Sequence, residues 1–238
     1  HYSGIIPCII SAYTAVGISS RFGAQPVHFV LDAVPSMSFL NMVKTGILAA
    51  LCAVLSIVFC LTMSETEKFF KKLFRNEYMR ILAGGVLIIA LTLICGTRDY
   101  NGAGADVIKR AISGQAVAYA FALKIIFTAI TMGSGYKGGE IVPTFFIGAT
   151  FGCVAGGLLG IDAGFSAAIG MIAMFCGVVN CPVASIMLSI EVFGGHDIRF
   201  FALACAISYM LSGYFSLYHS QKIVYSKLKN KVININAQ

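Results

Sequence analysis

The sequence predicts an all-α, polytopic membrane protein with broken and tilted helices. Three observations carry that expectation. Of the 238 residues, 58% are hydrophobic and only 11% are charged. Mean hydropathy is +0.85, well outside soluble usage. The stretch from Ile141 to Ile190 holds a single charged side chain, Asp162, so no water-facing surface can be assembled from it. Soluble enzymes, nucleic-acid binders and disordered scaffolds are excluded. A formal charge of +7 would suggest nucleic acid as a partner in a soluble chain. Here the cations lie between apolar runs and in the tail, where they read as cytoplasmic flanks.

Taken in order, uncharged runs cover residues 1–20, 45–64, 81–97, 111–123, 125–136, 141–161, 163–190 and 200–218. Several are too short, or too broken by glycine and proline, for a clean crossing, which takes about 20 residues. Interrupted backbone persists in a bilayer only where protein or a wet cavity satisfies its N–H and C=O groups. The pattern therefore points to a transport path rather than an anchor or a simple receptor. The first run begins at His1 with no charged region before it. Nothing there resembles a signal peptide, and a fragment is one expectation for such an opening.

Between the second and third runs, Glu65 to Arg75 interleaves Phe69, Phe70 and Phe74 with Lys68, Lys71 and Lys72. That texture suits a helix at the membrane surface and reads as a basic cytoplasmic linker. With Lys222, Lys227, Lys229 and Lys231 in the tail, it puts residues 64–80 and the C-terminal tail on the cytoplasmic side. The loop from Arg98 to Asp106 is then outside. Lys124, interrupting an apolar run, is expected to snorkel or to pair with a carboxylate, the alternative being that it faces the pore. The eight cysteines have no C-x-x-C spacing and read as small core residues rather than disulfides or metal ligands. Neither a metal nor a cofactor is expected. A membrane-embedded enzyme would need a nucleophile with its base, or paired histidines, on facing helices, but His1, His28, His196 and His219 fall in loops or near chain ends.

The most informative segment runs from Gly133 through Gly135, Gly138, Gly139 and Glu140 to Pro143. Proline suits a first helical turn, so a helix is expected to start between Glu140 and Pro143. The amides of Glu140, Ile141 and Val142 then project from the helix start, and the preceding glycines leave room for a ligand to reach the backbone. Partial positive charge there favours an anion, bound without a full cation that would hold it too tightly for release. A glycine-rich turn between two helices is the alternative. A phosphate loop does not fit, because Lys137 precedes the paired glycines and no strand leads in. Farther on, Gly148, Gly152, Gly156 and Gly160 recur every four residues and predict a smooth ridge for close helix packing. Asn180-Cys181-Pro182 predicts a break, followed by a half-span helix from Pro182 to Val192 with Glu191 at its end. Glu191, His196 and Asp197 together read as a polar loop.

The ordered set Gly133-Ser134-Gly135, Gly138-Gly139 with Pro143, the glycine ridge, the proline-broken pair ending in Ile190-Glu191-Val192, and Gln221 to Ser226 resembles the C-terminal half of a CLC chloride channel or anion/proton antiporter. The match covers residues 80–229 well and the earlier part by helix pattern only. The resemblance implies that residues 1–80 open this half with membrane helices and a basic linker. Residues 81–238 then form the pore repeat and a short tail. By the same resemblance this is the second of two inverted repeats, and the other repeat with its gating glutamate has no counterpart in this sequence. The resemblance also implies chloride or fluoride as the transported ion, protons as a possible co-substrate, and a plasma-membrane homodimer. The dimer interface would fall near residues 1–18, 182–193 and 199–217. An unrelated membrane enzyme or cation-coupled transporter is the rival reading.

Residue by residue, the resemblance implies an anion held at Gly138, Gly139 and the amides of Glu140 and Ile141, with the Tyr225 hydroxyl as a further donor. Most chloride-conducting members carry an apolar residue where this chain has Glu140. Its form Gly-Gly-Glu-x-x-Pro resembles the fluoride/proton-exchanging branch, with Glu140 serving selectivity or proton coupling. The alternative is a helix-capping Glu140.

Overall fold

The computed structural model describes residues 4–24, 27–195, 198–218, 220–227, 229 and 231–237. Its described helices are α1 (Ile5–Arg21), α2 (Phe39–Leu73), α3 (Glu77–Cys95), α4 (Ala105–Ile112), α5 (Ala120–Gly133), α6 (Ile141–Leu158), α7 (Ala163–Val179), α8 (Pro182–Phe193) and α9 (Ile198–Leu211). Only α2, α3 and α6 are long and apolar enough to cross a membrane by themselves. The rest are shorter, as the broken uncharged runs predict. His196 and Asp197, and with them the polar-loop reading, lie outside the described residues, as do His1 and His219.

Helix α2 starts where Ser38 accepts a hydrogen bond from the Asn41 amide at 3.2 Å. It then runs for 35 residues, about 50 Å at the α-helical rise. Leu48, Ala49, Cys52, Ala53 and Phe59 are its buried face. The charged stretch after Ser64, read as a basic cytoplasmic linker, continues this helix to Leu73. No glycine or proline falls between Ser64 and Leu73. Pairs one turn apart, Lys68 with Glu65 at 2.7 Å and Lys71 with Glu67 at 2.5 Å, support the extension.

The tightest packing joins α6 and α7. A Cβ on Gly148 would stand 2.5 Å from the Gly170 carbonyl oxygen, and one on Gly152 or Gly156 would fall onto Ser166. The ridge is therefore real at Gly148, Gly152 and Gly156, and Gly170 answers it from α7. Gly160 departs from it. It lies beyond the end of α6 with φ +66° and offers its carbonyl to Lys44 at 3.1 Å. Helix α7 starts at an Asp162 cap, 2.8 Å from the Phe165 amide, and ends at Asn180, whose φ of 57° is left-handed. Cys181 and Pro182 then begin α8 as the sequence predicts. Cys52, Cys60, Cys153, Cys176 and Cys205 are all buried within the helical core.

The tail closes back on the end of α7. Ser216 donates to the Val178 carbonyl at 3.0 Å and Gln221 to the Val179 carbonyl at 3.1 Å. These carbonyls are in the last turn and have no partner inside the helix. Beyond them β1 (Lys222–Tyr225) and β2 (Val232–Asn236) pair antiparallel, Ile223 opposite Ile235. The charge pattern of the tail contained no signal for this hairpin.

Candidate functional site

Helix α6 starts where the glycine motif predicts. Glu140 is the residue at its N-cap, and its side chain makes no capping hydrogen bond there. Its carbonyl accepts from the Thr144 amide at 3.2 Å and the Thr144 hydroxyl at 2.8 Å. The amides of Ile141 and Val142 make no backbone hydrogen bond among the described residues, as expected for a first turn.

The glycines before this start have different tasks. Gly133 lies against α2, where a Cβ would stand 2.9 Å from the Thr66 methyl and 3.1 Å from the Thr66 carbonyl carbon. Gly135 needs φ +105°. Between them Ser134 fills the notch left by Gly84 of α3. Its carbonyl accepts from the Arg80 guanidinium at 3.3 Å, and the Tyr136 hydroxyl donates to the Ile81 carbonyl at 3.2 Å. The approach to α6 is thus pinned to α2 and α3. Gly138 and Gly139 carry no such burden. Both are exposed, neither has a positive φ, and a Cβ on Gly139 would meet nothing within 4 Å. Packing does not require glycine at these two positions.

Gly138 and Gly139, with Val142 and Pro143, form one wall of a cavity of about 460 Å³. Ile88, Phe127 and Thr128 line its sides, and Tyr100 and Gly102 belong to the connection between α3 and α4. Lys124 lines it too. This lysine, expected to snorkel or meet a carboxylate, has no carboxylate partner among the described residues. It is 2% exposed and donates to the Tyr100 carbonyl at 3.0 Å and the Gly102 carbonyl at 2.6 Å. It lies in the second turn of α5, buried against the loop between α3 and α4. The loop carbonyls come to it instead.

The structure brings Gly138, Gly139, Glu140 and Ile141 together at the α6 start. It does not bring Tyr225 to them. Tyr225 ends β1 opposite Val232, is 68% exposed and lies outside the cavity lining. Sequence reasoning passed over Tyr218, in the tail beyond α9. Burial pushes the Tyr218 phenol up, and the Glu140 carboxylate and Cys181 thiol add to the effect. Its sequence signal is weak, a tyrosine just before the first tail lysine. Lys227 was likewise read only as a tail cation. It reaches the Tyr209 carbonyl at 2.7 Å, the Ser212 hydroxyl at 3.2 Å and the Asn180 side-chain oxygen, and lies 4.2 Å over the Tyr209 ring.

Comparison with known proteins places this geometry. The model of the voltage gated chloride channel family matches residues 1–213. A chloride/fluoride channel protein of Pseudomonas syringae is 32% identical over 235 residues, covering 95% of this chain and 51% of its own. An H(+)/Cl(-) exchange transporter of Vibrio cholerae is 28% identical over 69% of this chain and 37% of its own. The crystal structure of a CLC-type fluoride/proton antiporter superposes with a TM-score of 0.85 at 26% identity, covering 90% of this chain and 54% of that one. The chain therefore spans about half the length of the relatives it matches. With the family model covering most of its residues, the chain belongs to the voltage gated chloride channel family.

Proposed function

We propose that this chain supplies one half of a membrane pathway for chloride or fluoride, in which the anion is held by the backbone at the start of α6. One observation carries the reading. Gly138 and Gly139 are free of every packing demand and border a cavity at a helix N-terminus, the arrangement an anion approaching main-chain amides needs. The donors are the amides of Glu140 and Ile141. Glu140 supports fluoride exchange against protons over plain chloride conduction, because its carboxyl can repel an anion when ionised and donate to it when protonated. The fluoride/proton antiporter among the structural neighbours and the chloride/fluoride channel among the relatives support the same branch. The test is efflux of each halide from liposomes carrying the natural full-length chain. Flux of fluoride or chloride above that of empty liposomes is expected, and its absence in folded protein overturns the reading.

Tyr225 belongs to this reading as the hydroxyl donor of the completed pore. Tyr225→Phe is expected to weaken anion binding by about 0.5–1.5 kcal/mol, the value of one neutral hydrogen bond. Calorimetric titration of the full chain checks it, and unchanged affinity leaves Tyr225 an interfacial anchor. The protein functions in the plasma membrane with residues 64–80 and the tail on the cytoplasmic side, in keeping with their lysines.

The assembly is a homodimer. Every described side chain of α1 is exposed, and Val183, Met187 and Glu191 form an exposed stripe along α8. A cysteine in place of Met187 is expected to crosslink two copies in membranes. Crosslinks confined to other faces contradict this interface.

A further inference from the structure

The corner that joins α2 to α3 carries a groove that the anion path does not use. Helix α3 packs on α5 rather than along α2. The space left between them, about 420 Å³, is lined by apolar side chains alone. Phe69, Leu73 and Phe74 form its α2 side. On α3, Met79, Leu82, Ala83 and Val86 recur at steps of three, one and three residues and so make one stripe, which runs on to Leu87 over about 12 Å at the helical rise. Phe69, Leu73, Met79, Leu82 and Val86 are each more than half exposed, a surface that suits hydrocarbon. The corner itself is positive. Residues 64–80 hold five cations against three carboxylates. Lys68 and Lys71 are paired with Glu65 and Glu67, and Glu77 lies in the first turn of α3, where the helix dipole favours a carboxylate. Lys72, one turn beyond Phe69 on the same face of α2, and Arg75, next to Phe74, are exposed and belong to none of the ion pairs among the described residues. Tyr78 beside them is 85% exposed, as a ring at the level of lipid headgroups is.

We propose that this groove binds one anionic phospholipid of the bilayer, with an acyl chain along the α3 stripe and the headgroup phosphate held by Lys72 and Arg75. The inference goes beyond the anion pathway and rests only on the membrane placement proposed for residues 64–80. Groove and corner together present hydrocarbon and then positive charge, the order in which a phospholipid presents its chain and its phosphate. Arg75 offers a planar fork that matches phosphate oxygens, and Lys72 adds a point charge. A zwitterionic headgroup brings its own ammonium back beside these two cations and gains less. A free phosphate gains nothing from the apolar walls.

The test is native mass spectrometry of the natural full-length chain titrated with phosphatidylglycerol or with phosphatidylcholine of the same acyl chains. Wild type is expected to hold its tightest phosphatidylglycerol more firmly than phosphatidylcholine. Lys72→Gln combined with Arg75→Gln is expected to weaken phosphatidylglycerol about thirtyfold, roughly fivefold for each cation near a membrane surface, and to leave phosphatidylcholine unchanged. Lys109→Gln removes an exposed cation from α4 and changes neither lipid. Ala83→Phe fills the groove and weakens both. Equal binding of the two lipids by wild type, or phosphatidylglycerol held as tightly by the double variant as by wild type, overturns the proposal. Displacement of the lipid by excess inorganic phosphate overturns it too, since the corner is then a free-anion site. Should Ala83→Phe fail to fold, the charge variants, all at exposed positions, still decide: their silence means that protein, not lipid, covers the groove. Binding is read without transport, so its outcome is separate from that of halide efflux.

Discussion

Glu140→Gln is expected to uncouple anion movement from protons while leaving the fold intact. The carboxyl group belongs to the residue at the N-cap of α6 but makes no capping bond there, so its removal costs the helix no cap. An ionised carboxylate about 4 Å from a bound anion repels it by roughly 4 kcal/mol at an effective dielectric of 20, a factor of about a thousand in occupancy. Protonation turns that repulsion into a hydrogen-bond donor. Wild-type efflux is therefore expected to rise as pH falls and to bring protons with it. Glutamine carries a donor at every pH and flattens the dependence. Glu140→Ala removes the donor as well, and should cost fluoride more than chloride because fluoride is the stronger acceptor. Efflux of both ions with simultaneous proton uptake measures this. Identical pH profiles in wild type and Glu140→Gln return the assignment to ordinary chloride transport.

The second large effect is on stability. Gly152→Ala is expected to destabilise the α6–α7 pair by about 3 kcal/mol, the upper end of the usual overpacking cost. The new methyl would fall on the Ser166 carbonyl and stand 2.9 Å from the Gly170 Cα. These are backbone atoms, which cannot rotate away as a side chain would. Both helices are buried here, so relief requires moving one of them bodily. Gly157 supplies the control, since a Cβ there meets nothing within 4 Å. Gly157→Ala should be neutral or stabilising, because alanine favours helix by about 1 kcal/mol. Thermal unfolding in detergent compares the pair. Equal melting temperatures contradict a close-packed α6–α7 interface.

The membrane class, the start of α6 and the break at Asn180-Cys181-Pro182 were legible because each depends on local chemistry: apolar composition, a proline in a first turn, a residue that cannot continue a helix. The ridge was legible for the same reason as far as Gly156. Gly160 kept the spacing of the ridge but not its role, because periodicity does not say where a helix ends. Lys124 was misread because its partners are main-chain carbonyls of a loop more than twenty positions upstream, and carbonyls leave no mark in a sequence. The α2 extension left no boundary in the sequence, because its texture of aromatics and cations suits a linker as well as a continuing helix. Charge pairs one turn apart allow that texture in a projecting helix equally well. Tyr218 and Lys227 depend on how the tail folds back over α7, which is set by long-range packing. Tyr225 was identified through its motif, and the fold of this half alone does not carry it to the α6 start.

The central claim is that an anion approaches the backbone at the start of α6 past Gly139. The most direct measurement is fluoride and chloride efflux from liposomes carrying the natural full-length chain as wild type, Gly139→Val and Gly157→Val. Both glycines border open space, so both variants should fold; only Gly139 borders the cavity beside the helix start. Gly139→Val is predicted to lose efflux by about tenfold or more, ~1.4 kcal/mol on the barrier, at an unchanged melting temperature, while Gly157→Val transports as wild type. Wild-type efflux from Gly139→Val would contradict the account.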